Sequence, residues 1–352
     1  MAHETIRVGM IGAGYISAYH LAGLAAAGGA DVRVLMSRTP ARAAVLARRF
    51  GIPEVVTDYR AVLDRPDIDA VVIATPDDTH EEIAVAAAAA GKAILLQKPM
   101  AGSSAACRRI IGAARRAGVD LQVSFMHRYF EEVVRTRELL AGDKLGPVLA
   151  VRVRNATPGP DWNDWFFSRE RVPGGVVHQL GVHGIDLLRH VIGEIGAVVG
   201  TVATLRQERV LADGRTVRPE NEDHALALYR FRGGALGTHE MSLSEIQGCD
   251  RFRLEVYGAE ATIWLRTERG PLAVYAPALT GARGWFVPAL PTRAFGERQH
   301  AHWLGILRGQ IPSERTAEDG LATLLVAEAL YRAAAARREE PVPDLDAVLE
   351  AR

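Results

Sequence analysis

Over the first 125 residues, short apolar runs alternate with longer alanine-rich stretches. The runs at 6–11, 31–36, 69–74, 93–97 and 121–124 are mostly continuous, not alternating. Strands buried on both faces read this way, as in a parallel sheet covered by helices. The stretches between them, at 16–27, 41–50, 81–90 and 104–117, have the composition and length of helices. Alternating units of this size predict an α/β, doubly wound sheet with right-handed crossovers.

The pattern changes after Phe125. A helix is expected at 131–141 and a strand at 148–155, followed by the irregular segment PGPDWNDWFF. Residues 174–192 read as a helix opened by Gly174-Gly175. From 195 to 275 the chain is mostly β, in runs at 195–207, 223–231, 234–243, 251–258 and 261–267. Turn signals at Arg232-Gly233-Gly234 and Gly258-Ala259 predict an antiparallel meander. Two helices, near 297–308 and 318–338, close the chain. The expected organisation is a dinucleotide domain over 1–125. An α+β domain built on one large, mainly antiparallel sheet follows over 126–352.

Length supports two domains, because 352 residues exceed what one core ordinarily holds. Charge narrows the partners. Lys plus Arg number 42, as do Asp plus Glu, so no net field draws nucleic acid or an anionic membrane. Pairs such as Arg108-Arg109 and Arg115-Arg116 read as solvated helix faces. Cys107 and Cys249 are the two cysteines, too few for a disulfide framework or a zinc site, so no metal is expected. The start, MAHETIRVGMIG, lacks a signal-peptide pattern, and no apolar stretch reaches the ~18 residues that span a bilayer. The expected location is cytoplasmic.

The candidate chemistry begins in IRVGMIGAGYIS. Gly12-Ala13-Gly14 follows an apolar strand and precedes a helix. Gly12 permits the tight turn, and Gly14 lets a pyrophosphate approach the backbone. Tyr15 and Ile16 open the helix, whose N–H groups and dipole favour that anion. Ser17 stands where the usual fingerprint has a third glycine. About twenty residues on, where NAD-selective sites carry an acidic residue, the chain has Ser37-Arg38. A hydroxyl and a guanidinium suit a 2′-phosphate, which favours NADP over NAD.

Further motifs narrow the class. Ala74-Thr75-Pro76 ends one strand, with His80 after it, and Gln97-Lys98-Pro99 ends the next. Gly174-Gly175 precedes His178-Gln179-Leu180-Gly181-Val182-His183 and Asp186. With GAGYIS and His20, these resemble the glucose–fructose oxidoreductase/inositol dehydrogenase/MocA family from Ile6 to the C-terminal helices. The resemblance implies an N-terminal Rossmann domain and a C-terminal domain with an open-faced antiparallel sheet, often used in oligomers. A homodimer or homotetramer is therefore expected. It implies NAD(P)-dependent oxidation or reduction of a ring hydroxyl on a sugar, sugar derivative or cyclitol. The family's catalytic lysine, in Glu-Lys-Pro, maps onto Lys98, and its active-site histidine onto His183. Thr75, Pro76, His80 and Gln97 are candidate cofactor contacts, and His178 and Gln179 candidate substrate contacts.

Two departures stand out. Gln97 replaces Glu, so Lys98 loses an adjacent carboxylate and should deprotonate more easily. Gln179 replaces an Asp that relatives often carry four residues before the histidine. Hydride transfer from an alcohol needs a proton acceptor and a group that stabilises the oxygen. His183 suits the first, and Lys98 suits the second or the cofactor carboxamide. His183 bonded to Asp186 on one helix face is the structural alternative.

Trp162, Trp165 and Phe166 offer aromatic faces to a sugar or a nicotinamide; Trp165 is assigned to the cofactor and Trp162 to substrate. Arg128 and Tyr129 follow the last strand of the first domain and are substrate candidates, with an interdomain salt bridge as the alternative for Arg128. His239 and Glu240 are weaker candidates in the large sheet. Two other functions fit the same fold. One is a redox-neutral glycoside hydrolase working by oxidation and elimination. The other is a dinucleotide-binding protein without chemistry.

Overall fold

The computed structural model describes residues 5–142, 145–246, 252–266 and 272–350. Cys249, Arg251 and Thr267 lie outside them. The first elements are β1 (Ile6–Ile11), α1 (Ser17–Ala27), β2 (Ala30–Met36), α2 (Pro40–Phe50), β3 (Glu54–Val56) and α3 (Arg60–Leu63). Then come β4 (Ala70–Ile73), α4 (His80–Ala89), β5 (Ala93–Gln97), α5 (Ser104–Ala117) and β6 (Leu121–Ser124). Next are α6 (Glu131–Leu140), β7 (Val148–Ala156), α7 (Val182–Val191), β8 (Ile195–Ala203), β9 (Arg209–Val210) and β10 (Thr216–Val217). The middle closes with β11 (His224–Phe231), β12 (Leu236–Ser242), β13 (Phe252–Gly258), β14 (Thr262–Arg266) and β15 (Ala273–Tyr275). Last are α8 (Pro277–Thr280), β16 (Trp285–Phe286), α9 (Glu297–Leu307), α10 (Thr316–Ala336), β17 (Glu340–Pro341) and α11 (Leu345–Glu350).

The chain forms two compact units. The first holds residues 1–129 and 292–321, the second 130–291 and 322–352. A single crossing at 125 was expected; the chain also returns at 292, which no local pattern announces.

In the first unit six parallel strands run in the order β3-β2-β1-β4-β5-β6, the doubly wound arrangement. Val8, Met10, Leu35, Val72 and Leu95 are buried to 1% exposure or less, which is why their strands read as unbroken apolar runs. Local chemistry sets the helix ends. Pro40 opens α2, Gly51 (φ 68°) closes it, and the Ser103 hydroxyl caps α5 by accepting from Ala106 N. β3 has three residues on an exposed edge, too short for a periodic signal. α9 packs on α1, with Trp303 buried beside Leu21 and Leu24.

The second unit holds a nine-stranded sheet, β16-β15-β14-β13-β7-β12-β11-β8-β17. It is mainly antiparallel, with hairpins where the turn signals fall. It is not the expected meander: β7 inserts between β12 and β13 and pairs with β12 in parallel. In β11 every second residue is buried, Ala225, Ala227, Tyr229 and Phe231, and these join the core with α7 and α10. The alternate residues Leu226, Leu228 and Leu236 are more than half exposed on the opposite face. His239 points inward, and Glu240 points outward, 3.2 Å from Arg154.

Candidate functional site

The cofactor turn is built by contact between strand ends. At Gly12, φ is 114°, and a Cβ there would lie 2.7 Å from the Ala74 carbonyl carbon. Only glycine fits where the exit of β1 touches the exit of β4. A Cβ on Gly14 would meet nothing within 4 Å, so its surface is open. Ser17 is buried, and its hydroxyl donates to Gly12 O at 3.0 Å, so the third fingerprint position staples the turn. α1 starts at Ile16 without a side-chain cap and has no acidic residue in its first turn. Its N-terminal N–H groups and positive dipole end therefore fit a pyrophosphate. Tyr15 beside them is 78% exposed.

At the end of β2 the Ser37 hydroxyl accepts from Thr39 N at 3.1 Å. Arg38 is exposed and, among the described residues, forms no ion pair.

The exits of β4 and β5 are joined by one side chain. His80 is buried, with Nδ1 at 3.0 Å from Pro99 O and Nε2 at 3.0 Å from Thr75 O. Burial lowers its pKa, against the neighbouring Asp77 and the carbonyls. Both ring nitrogens face backbone, so His80 ties the two strand exits together. The Thr79 hydroxyl donates to Pro76 O at 2.7 Å and lies 2.8 Å from the Thr75 hydroxyl. Gln97 is buried, and its Oε1 accepts from Lys98 N at 2.9 Å. The amide thus turns onto the adjoining backbone. Lys98 is half-buried, and the Lys98–Pro99 peptide is cis.

Arg128 is buried, with Nη1 at 2.8 Å from Asp319 Oδ2 and its guanidinium 5.1 Å from the Phe125 ring centre. The salt bridge expected for Arg128 was an interdomain one; the one formed lies within the first unit, which holds both partners. The Tyr129 hydroxyl faces Glu314 at 3.5 Å, and its ring rests against His302.

In the second unit Val177–Gly181 is wound as a π-helix that runs into α7. Such segments recur at functional sites. It carries His178 and Gln179, and His183 follows in the first turn of α7; all three are under 9% exposed. The helix start is held from afar. A Cβ on Gly175 would lie 2.8 Å from the Glu222 carbonyl carbon, and one on Gly174 would lie 2.9 Å from Tyr331 Cζ. Glu222 Oε1 accepts from Gly175 N (2.9 Å), Val177 N (3.2 Å) and the Tyr331 hydroxyl (2.7 Å). Glu222 O accepts from Val176 N at 2.9 Å. Burial, with the carboxylate adding, raises the Tyr331 pKa well above the usual phenol. Neither Glu222 nor Tyr331 was legible as a site residue. The one signal was Gly174-Gly175, which announces a close approach without naming the partner.

The aromatic segment is a cluster. Trp165 and Phe166 stack with centroids 4.2 Å apart, Trp162 meets Phe166 edge-on, and Arg171 lies 5.7 Å from the Trp165 ring. Trp162 is 53% exposed. Buried Arg209 anchors the loop by donating to Pro158 O (2.9 Å), Ser244 Oγ (2.6 Å) and Leu243 O.

Strand order and glycine turn together define a dinucleotide-binding protein. Residues 6–125 match an oxidoreductase family with an NAD-binding Rossmann fold, Gfo/Idh/MocA, and residues 133–264 match the C-terminal domain of that family. A levoglucosan dehydrogenase of Pseudarthrobacter phenanthrenivorans is 29% identical over 98% of this chain and all of its own. An inositol 2-dehydrogenase of Rubrobacter xylanophilus is 30% identical over 93% of this chain and 90% of its own. The solved structure of a levoglucosan dehydrogenase with NADH and L-sorbose superposes with a TM-score of 0.88. It is 26% identical and covers 97% of this chain and 100% of that one. The chain belongs to the Gfo/Idh/MocA family of NAD-binding oxidoreductases. Among the described residues no helix is long and apolar enough to cross a membrane.

Proposed function

We propose that this dehydrogenase moves a hydride between NAD(P) and a ring hydroxyl or ketone of a sugar, sugar derivative or cyclitol. The observation that carries the proposal is the joint presence of Lys98 at the exit of β5 and a buried His183 opening α7 after a π-helical turn. Relatives named for levoglucosan and inositol support the substrate class.

His183 takes the hydroxyl proton during oxidation and returns it during reduction, since imidazole exchanges protons near neutral pH. The Lys98 ammonium holds the substrate oxygen and stabilises charge on it. The Gln97 amide, bonded to Lys98 N, orients that strand exit. Gln179 offers ring hydroxyls a donor and an acceptor where relatives often present a carboxylate, and His178 adds a polar contact. Trp162 and Trp165 give the sugar and the nicotinamide apolar faces. Bound NAD(P) supplies the hydride acceptor or donor.

For cofactor choice, an exposed Arg38 beside Ser37 supports NADP, because a 2′-phosphate accepts charge-assisted bonds from guanidinium. The exposed leucines of β11 and β12 support association of two copies through that face. A strict monomer in solution would count against it.

The test is a panel of sugars and cyclitols, levoglucosan and myo-inositol included, with NAD and NADP in parallel. Reduced cofactor is read at 340 nm. Accumulation with a polyol is expected, together with a loss of turnover of at least ~100-fold in Lys98→Ala and in His183→Ala. Release of an aglycone without net cofactor reduction would establish the redox-neutral hydrolase instead. Unchanged turnover in Lys98→Ala would remove Lys98 from the mechanism.

A further inference from the structure

Beneath α7, three neighbouring strands contribute one buried polar residue each. Tyr229 of β11, His239 of β12 and Asn155 of β7 all face inward and are 2%, 1% and 0% exposed. In the strand registers His239 lies opposite Ala227 and Val153, so its two polar partners are diagonal neighbours. The Tyr229 hydroxyl is 3.0 Å from His239 Nδ1, and His239 Nε2 is 2.7 Å from Asn155 Oδ1.

The chemistry gives this chain a direction. Burial holds His239 at about 3, so the imidazole is neutral and has one donor and one acceptor. Asn155 Oδ1 only accepts, which puts the proton on Nε2. Nδ1 then accepts from Tyr229 O–H. The relay ends at Asn155 Nδ2, which is buried and has no acceptor among the described residues.

The helix rests on this relay. A Cβ on Gly184 would lie 2.7 Å from His239 Nε2 and would overlap Asn155 Oδ1. Gly181 makes the same kind of approach to Met241 Sδ, two residues along β12 from His239. Two glycines three apart thus lower one side of the helix onto the sheet, and Gly184 directly follows His183.

We propose that Tyr229, His239 and Asn155 form a directional hydrogen-bond relay that sets the depth and rotation of the first turn of α7, and so positions His183. A polar triad inside an apolar sheet core costs more than leucines unless every bond has a fixed geometry, and fixed geometry is what a proton-exchanging side chain requires of its support. The inference rests on the reading of His183 as the proton acceptor, with the three residues as positioning residues.

The test uses the full chain and four variants, Tyr229→Phe, His239→Gln, His239→Ala and Asn155→Ala, with His183→Ala as reference. The substrate-free measurement is the histidine ring 15N spectrum at pH 7. His239 is expected neutral with its proton on Nε2, and the His183 ring signals are expected to shift in His239→Ala and Asn155→Ala. A His239 protonated on Nδ1, or His183 signals unmoved in both variants, would overturn the relay. With a substrate from the polyol panel, kcat should fall at least ~10-fold in His239→Ala and Asn155→Ala, with KM within about threefold. His239→Gln keeps a donor toward Asn155 and should recover most of the rate. If Asn155→Ala does not fold, Tyr229→Phe breaks only the outer link and carries the spectral comparison. Folded variants with kcat within twofold of the parent refute positioning while His183→Ala is inactive. An active His183→Ala instead removes the catalytic reading itself.

Discussion

Replacing Glu222 by alanine deletes one oxygen that accepts three hydrogen bonds at the start of the helix bearing His178, Gln179 and His183. Bonds to a charged acceptor are worth ~1.5–3 kcal/mol each when buried, and less where water can replace the lost partner. Glu222 is only half-buried, so the two backbone donors are counted at ~1 kcal/mol each and the Tyr331 bond at ~1.5 kcal/mol. The lost carboxylate also removes ~0.5 kcal/mol of interaction with the helix dipole. The expected destabilisation of the second unit is therefore ~4 kcal/mol. Glu222→Gln keeps an acceptor and should cost ~1 kcal/mol. Tyr331→Phe should cost ~1.5 kcal/mol, and the Glu222→Ala/Tyr331→Phe double variant should cost that much less than the sum of the singles. The assay is urea unfolding at pH 7.5 followed by circular dichroism, with each transition fitted separately because a two-unit chain need not unfold in one step. A Glu222→Ala cost below ~0.5 kcal/mol, or strict additivity in the cycle, would refute the anchoring argument.

Three further outcomes follow from the geometry. Gly12→Ala places a Cβ against Ala74 at a φ of 114°, and should lose ~1–3 kcal/mol of stability along with NADH binding, followed by fluorescence titration. Arg38→Ala should lower kcat/KM with NADP at least ~10-fold and leave that with NAD within about twofold; equal losses would assign Arg38 elsewhere. Acid should destabilise the fold before its carboxylates titrate. Burial holds His300 at about 4 and His239 at about 3, against 6.5 in the unfolded chain. His20, 3.0 Å from His300, is also held well below 6.5, by burial and then by that neighbour. The unfolded chain binds these protons first, so this stability is complete above pH 6.5 and is lost as pH falls toward 4. At pH 5 His300 and His239 each remove roughly 2 kcal/mol, and His20 acts in the same direction; this is read as a lower urea midpoint than at pH 7.5, and a flat midpoint would refute it.

Much of the first unit was legible because local patterns encode it. Strands buried on both faces are continuous apolar runs, and a glycine turn between strand and helix has few other uses. Three-residue β3 escaped because a short exposed edge carries no period. The strand that leads to Lys98 and the helix that carries His183 were also readable, since their signals lie within a few positions of them. His80 and Arg128 show where motif reading runs out. Their neighbours in space are backbone carbonyls and Asp319, partners that no motif names.

What tertiary structure alone decided joins distant positions. Residues 292–321 return to the first unit because α9 covers α1 through Gln299, His300 and Trp303. β7 slots between β12 and β13 because strand order is set by packing of whole faces, which alternation within one strand does not encode. Glu222 reaches back 47 residues to Gly175, and Tyr331 reaches 109 to Glu222. Asn155, His239 and Tyr229 meet diagonally across three strands. Sequence by itself determined the periods, the turns and the motifs from which a site is proposed. The tertiary structure decided which side chains support them, because support depends on registers between segments far apart in the chain.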